Sequence, residues 1–340
     1  SEIARNVDTL IVGAYRMADL KELKSYNPNL VLLRYHHALG ARPNTPDWSE
    51  ISADEALFVH DAATGRRLVE KKYGWRLLNI ATPQWRRWVC TRILRDTEAI
   101  FDGVFIDDFW VRYVDKFIAE GLGKAARPAE NVIDAWQTHM AELLKQLRAE
   151  YPKKIFINGA YPEYIELVDG CMAEGFVHGS RESDITTPSL SEFYRSLLHI
   201  QRLKPYGKTV LVQSGTAGDH PDHTEDVYRL CAAGYFLIAG PQTSFGFNPS
   251  PTYAFSRFSP YDDYHLELGT PRTEVYIHKQ APEPANLIPN GDFSQGLNDW
   301  QIIGGRPSAV KSEGGDGLSL EFQSRSSGSD RIRSAWVQVD

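Results

Sequence analysis

Cysteine is scarce, with three in 340 residues, at Cys90, Cys171 and Cys231. They stand far apart and form no CxxC pair, so they signal neither a zinc cluster nor a disulfide framework and read as buried thiols. Long apolar runs are also missing. No stretch reaches the ~18 residues that a membrane helix requires, so the reading is of a chain without a membrane partner. The chain opens on Ser-Glu rather than on a charged, apolar and small-residue leader, and so reads as a mature soluble protein. Basic residues are outnumbered, 37 Lys and Arg against 44 Asp and Glu. Phosphate binding needs concentrated Lys and Arg, which argues against nucleic acid as the main partner. No strand-like run is followed by GxGxxG or by a P-loop, and the GxSxG nucleophile elbow is absent; dinucleotide, P-loop and serine-hydrolase readings lose their motifs. What remains is globular composition, 42% hydrophobic and 24% charged, with 8 Trp, 16 Tyr and 15 Phe. Those aromatics suit core packing and, secondarily, stacking on the flat faces of sugars.

Short β-branched and apolar runs recur over the first ~280 residues, each followed by a polar loop and a segment of helical period. Eight are readable: TLIVGA from Thr9, LVLLRY from Leu30, RLLNI from Arg76, VFI from Val104, KIFI from Lys154, CMA from Cys171, TVLV from Thr209 and YFLIA from Tyr235. Helical spacing is clearest in Trp85, Trp88, Val89, Ile93 and in Val132, Trp136, Met140, Leu143, Leu147. Alternation of eight strands with helices predicts an α/β fold, and the length fits a closed (β/α)8 TIM barrel better than an open doubly wound sheet. Residues 1–280 are expected to form this domain. APEPA, residues 281–285, reads as linker. From Asn286 to Asp340 the chain is rich in Gly and Ser with short alternating patches, LSLEF and AWVQV, predicting a small and truncated β-sandwich-like segment.

In such barrels the reactive residues sit at the C-terminal ends of the strands. FDGVFIDDFW runs a dense apolar strand into Asp107 and Asp108. An isolated acidic pair reads as helix capping or an ion pair, but a carboxylate there is expensive unless it is used or paired. Adjacent residues at a strand end face opposite ways, so Asp107 is taken as the inward carboxylate and Asp108 as its support. VDGCMAEGF ends the sixth run on Glu174. Two acids on strands four and six fall across the barrel mouth, where they can reach the ~5–5.5 Å carboxyl separation of a retaining glycosidase. Asn158, in KIFINGAY, lies between them, free to contact a sugar hydroxyl or orient an acid, or else to make an Asn-Gly turn. Tyr35, His36 and His37 end the second run and Asn79 the third, so these are expected to line the mouth. Gln213 and Phe245, with Trp110, give a polar and aromatic rim suited to sugars. DHPDHTED, from Asp219, reads as a polar loop entering a helix capped at Thr224, and neither a metal nor a cofactor is expected.

The motifs DGVFIDDF, INGAY, VDGCMAEGF, YFLIAG and YHLELGTP resemble those of the polygalactosaminidase-like and hypothetical glycosyl hydrolase group of TIM-barrel proteins. The resemblance spans Thr9 to about Pro271. It implies that the strand-four Asp and strand-six Glu are the catalytic pair, which falls on Asp107 and Glu174. NLIPNGDFSQGLNDW resembles the opening of a family 4/9-type carbohydrate-binding module, with Asn286, Asn290 and Asp292 as structural contacts. Together these readings predict a secreted or periplasmic glycoside hydrolase acting on a polysaccharide or oligosaccharide, retention being preferred over inversion or substrate assistance. Two alternatives are a non-catalytic carbohydrate-binding protein and a metal-dependent hydrolase or deacetylase using His36, His37 and Asp107.

Overall fold

In the computed structural model, the residues described are 2–13, 15–45, 47–70, 74–110, 136–178, 188–215, 224–248 and four short strands beyond residue 299. The chain divides into two compact units, Ser1–Gly269 and Thr270–Asp340.

The first unit is built on seven strands: β1 (Thr9–Val12), β2 (Val31–His37), β5 (Gly103–Asp107), β6 (Lys154–Asn158), β7 (Gly170–Glu174), β8 (Thr209–Gly215) and β9 (Thr243–Asn248). They pair in that order in one curled parallel sheet. Two further short strands, β3 (Gly40–Ala41) and β4 (Arg76–Leu77), pair with each other antiparallel. Alternation along the strands separates two apolar layers. Val104, Ile106, Ile155, Ile157, Val210 and Val212 pack with the helices in the large core. Leu33, Phe105, Phe156 and Leu211 form a separate cluster, with Tyr35 and Met172 against it. Residues of that second parity, continued to the strand ends, include Asp107, Asn158, Glu174 and Gln213.

Helices follow where the apolar period predicts them. The helix Pro83–Asp96 starts at Thr82, whose hydroxyl accepts from the Trp85 N–H, and buries Trp85, Val89, Cys90 and Ile93. Leu190–Leu203 begins with a capping box, Ser189 and Glu192 each accepting from the other's backbone N–H. Trp136–Glu150 buries Trp136, Met140, Leu143, Leu144 and Leu147; Val132 lies outside the described residues. All three cysteines are free and buried. At the opposite end of the sheet from the acids, Asp102 accepts from Leu32 N–H and from Lys24 Nζ, both at 2.8 Å.

Two of the eight predicted strands are corrected. RLLNI is extended and buried, but it does not enter the parallel sheet: β2 pairs directly with β5, Leu33 opposite Gly103. Its backbone instead meets nearby segments, with Leu78 N–H bonded to Leu39 O, and Leu77 exchanging bonds with Leu68 and Val59. An apolar run reports burial and not the identity of its partner. YFLIA is the last part of the helix Thr224–Ile238, and the strand lies after it at Thr243–Asn248. The buried positions Val227, Tyr228, Cys231, Ala232 and Ile238 continue a helical period through that run, which a short apolar stretch read alone conceals.

In the second unit, Trp300–Ile303 pairs antiparallel with Arg331–Ser334, and Ser308–Lys311 with Leu318–Glu321. The patch LSLEF is thus largely a strand. The proposed linker, residues 281–285, and Asn286, Asn290, Asp292 and AWVQV lie outside the described residues, as do Asp219–His223.

Candidate active site

Gly103 opens β5, where a Cβ would stand 2.3 Å from Lys154 O, so only glycine allows the close pairing with β6. The strand carries Asp107 to the sheet end on the face of the Leu33 and Phe105 cluster. Three donors converge on its carboxylate: the Tyr35 hydroxyl at 2.5 Å to Oδ2, and Asn158 Nδ2 at 2.8 Å and the Asp108 N–H at 2.7 Å to Oδ1. Burial, then the Asp107 carboxylate and the hydrogen bond to it, push the Tyr35 phenol far up, so Tyr35 remains a donor.

The same Asn158 nitrogen donates to Glu174 Oε2 at 2.7 Å. Bonded to one nitrogen, Asp107 Oδ1 and Glu174 Oε2 can stand no further apart than the two bonds laid end to end, about 5.5 Å. Asn158 is buried, which fixes it at the sheet end. Glu174 is opposite Gln213 in the β7–β8 register. A cavity of about 360 Å³ opens beside Glu174 and Asn158, lined also by Trp110, Tyr161, Arg195 and His199. Trp110 is 41% exposed at its edge.

Backbone geometry separates the two aspartates. Asp108 has φ of 56°, a left-handed conformation that Asp adopts more readily than most residues. The next N–H, of Phe109, bonds to Asn158 O at 2.9 Å. That close approach requires Gly159, with φ of 149°, because a Cβ there would stand 2.4 Å from Phe109 O. Asp108 turns to His37, with 3.2 Å between its Oδ2 and His37 Nε2. Since His37 Nδ1 accepts the Gly40 N–H at 3.0 Å, the ring proton belongs on Nε2, facing Asp108.

Of the predicted site residues, the fold brings together Tyr35, Asp107, Asn158 and Glu174, with Asp108, Trp110 and Gln213 around them. Three others are corrected. His36 has the opposite parity from Tyr35; it is buried, with its Nε2 3.6 Å from Asp96 on the helix Pro83–Asp96. Asn79 is not on the parallel sheet, and its side-chain oxygen accepts the Ala81 N–H in the turn that starts that helix. Phe245 is opposite Val212 in register and stacks on Tyr235 of the helix Thr224–Ile238, ring centroids 5.0 Å apart, so it faces the helix layer rather than the acids. His37, also expected at the mouth, reaches Asp108, while Tyr161, Arg195 and His199 line the cavity beside Glu174 without a local sequence signal.

A parallel α/β sheet carrying two carboxylates bridged at its C-terminal edge is an arrangement that suits a glycoside hydrolase. Residues 24–287, more than half of the chain, match the Hypothetical glycosyl hydrolase family 15, and the chain belongs to this family. It is a glycoside hydrolase. Among solved structures it is similar to the glycoside hydrolase domain of PelA from Pseudomonas aeruginosa, with 16% identity, a TM-score of 0.51, and coverage of 71% of this chain and 87% of that one. A single-residue variant of that domain gives 16% identity and a TM-score of 0.52 over 73% and 89% of the two chains. A family 31 dextranase from Flavobacterium johnsoniae complexed with glucose gives 10% identity and 0.50 over 76% and 34%. At these identities the likeness is one of fold. No curated protein sequence matches the chain significantly.

Proposed function

We propose that the chain hydrolyses the glycosidic bonds of a polysaccharide or oligosaccharide with retention of configuration, on a TIM-barrel-type domain, Asp107 acting as nucleophile and Glu174 as general acid/base. The observation that carries this reading is the shared Asn158 nitrogen, which holds the bonded oxygens of the two acids within about 5.5 Å of each other, close enough for a retaining pair. The three donors on Asp107 complement a negative charge there and hold the carboxylate in one orientation for attack on the anomeric carbon. Asn158 then holds Glu174 beside it, where it protonates the departing oxygen and afterwards takes a proton from the water that releases the sugar. Trp110 at the cavity edge offers a stacking face for a sugar ring. No cofactor enters this scheme. Polymeric substrates of this kind suit a secreted or periplasmic enzyme, with residues 286–340 as a partial carbohydrate-binding-module-like β segment.

The reading is tested by proton NMR of the first product formed, once a panel of plant, fungal and bacterial polysaccharides has identified a substrate by release of reducing ends. The released anomer should match the configuration of the bond cleaved. Release of the opposite anomer would contradict it.

A further inference from the structure

On the other side of Tyr35 and His37 from the acid pair lies a second cavity, of about 420 Å³, within the range of small-ligand sites. It occupies the ground where β2 pairs directly with β5 and RLLNI has left the sheet. Its lining carries three arginines, Arg34, Arg42 and Arg92, against one carboxylate, Asp47. Aromatic faces accompany them. The Arg42 guanidinium lies 4.7 Å from the Trp75 ring centroid and the Arg92 guanidinium 5.1 Å from that of Trp88. Trp75 stacks on His37 at 4.1 Å, and Trp85 on Trp88 at 4.8 Å.

Two buried nitrogens of residues lining this cavity, Arg34 Nε and Trp85 Nε1, have no hydrogen-bond partner, while His36 Nε2 and Arg92 Nε face the Asp96 carboxylate at 3.6 and 3.8 Å. His36 is 2% exposed and Trp85 is fully buried. Each of these two arginines is anchored at one end of its guanidinium. Arg34 Nη1 donates to the Val12 and Gly13 carbonyls, and Arg92 Nη2 pairs with Asp47 at 2.6 Å. Buried donors are costly to leave unmade, and two of them around one cavity, with positive charge in excess, are complementary to an anion. Arginine beside an indole face suits a group that is both charged and ring-shaped.

We propose that this cavity is a subsite for an acidic sugar residue, its carboxylate held by Arg34 and Arg42 and its ring against the tryptophans. The proposal rests on the glycosidase reading, because its ligand is taken to be part of the chain cleaved by Asp107 and Glu174. Tyr35 and His37 belong to both places: the Tyr35 hydroxyl bonds Asp107, His37 bonds Asp108, and both residues line the cavity. The same arginines repel the ammonium group of an unsubstituted amino sugar, so the substrate is a polyanionic glycan rather than a polycationic one.

Isothermal titration of the full chain with D-glucuronate and D-galacturonate tests this, with D-glucose, D-galactosamine, methyl glucuronate ester and inorganic phosphate as comparators. At least one uronate should bind tenfold or more tighter than glucose, galactosamine and the ester. Arg34→Met should weaken that binding at least tenfold. Arg42→Met, at an exposed position that leaves the fold intact, should weaken it at least threefold. Binding is read without turnover, so Asp107→Asn should still bind the uronate even while hydrolysis is lost, which keeps failure of the subsite distinct from failure of the catalytic assignment. Absence of uronate binding, equal binding of glucose, unchanged binding in both arginine variants, or phosphate binding with both uronates silent would each overturn the proposal.

Discussion

The Tyr35 hydroxyl donates to Asp107 Oδ2 at 2.5 Å, joining the C-terminal ends of β2 and β5 across the register pair Tyr35 and Phe105. Hydrogen bonds to a charged group contribute ~1.5–3 kcal/mol, and ~1.4 kcal/mol corresponds to tenfold in rate. Tyr35→Phe should therefore lower kcat/KM by about 10- to 100-fold with the fold retained, measured by steady-state kinetics beside circular dichroism. Unaltered kinetics would remove Tyr35 from the catalytic arrangement.

Asn158 holds the two acids through one nitrogen. Replacing it with alanine removes the bridge; replacing it with aspartate puts a third carboxylate between two others. Asn158→Asp should be the more damaging of the pair at neutral pH, with a loss of activity at least tenfold beyond that of Asn158→Ala. The two variants compared at one substrate concentration series decide this, and equal losses would mean that only the shape of the residue matters.

Two glycines set the distance between strands and site. A Cβ on Gly159 would stand 2.4 Å from Phe109 O at a φ of 149°, and one on Gly170 would stand 2.2 Å from the Phe156 ring. Gly159→Ala and Gly170→Ala should each cost about 1–3 kcal/mol in urea unfolding. Gly13→Ala, where a Cβ meets nothing within 4 Å, should be near neutral.

His36 supplies a pH dependence. Burial first, then Arg92, Arg34 and Arg95, hold its pKa well below 6.5, and Asp96 at 3.6 Å does not reverse this. The folded state therefore keeps His36 neutral where the unfolded chain takes up a proton. Above pH 6.5 both states are neutral and the residue contributes no pH dependence; as pH falls below 6.5, the unfolded state binds more protons and stability is lost. Urea midpoints measured from pH 7.5 to 5 should fall in the wild type and fall less steeply in His36→Asn. Parallel slopes would assign the acid sensitivity to other groups.

The thiols should be silent in the native state. Burial pushes Cys90 and Cys171 up to about 12 and Cys231 up to about 11, and all three are free. A thiol reagent at pH 8 should find no fast-reacting group until denaturant is added, and then three. One native thiol reacting at the rate of a free cysteine would contradict this burial.

Much of this site is legible in the sequence because its acids terminate strong strands. VFI before Asp107 and KIFI before Asn158 are dense enough to fix the strand, and parity then fixes the face. Glu174 follows a shorter run, yet β7 is as long as β5 because Gly170, opposite Phe156, extends it at the start. Where the reading fails, local pattern met a choice of partners. RLLNI has the composition of a sheet strand, and Gly40–Ala41, Val59 and Leu68 compete successfully for its backbone. YFLIA is apolar enough for a strand, but the helix that precedes it continues through it. Phe245 inherits that error, falling inside the strand Thr243–Asn248 instead of on a rim after YFLIA. His36 shows a different limitation: the end of a strand is readable, and which of two adjacent residues faces the cleft depends on a register that only the neighbouring strands define.

The central claim is that Asp107 and Glu174 together perform the hydrolysis. The measurement that tests it most directly is release of new reducing ends by the wild type, Asp107→Asn and Glu174→Gln on one identified polysaccharide, with binding of that polysaccharide measured alongside. Both variants should bind it and lose at least ~10²-fold in rate, the lower range for a missing general acid or base. Activity persisting in either variant at the wild-type rate would contradict the assignment.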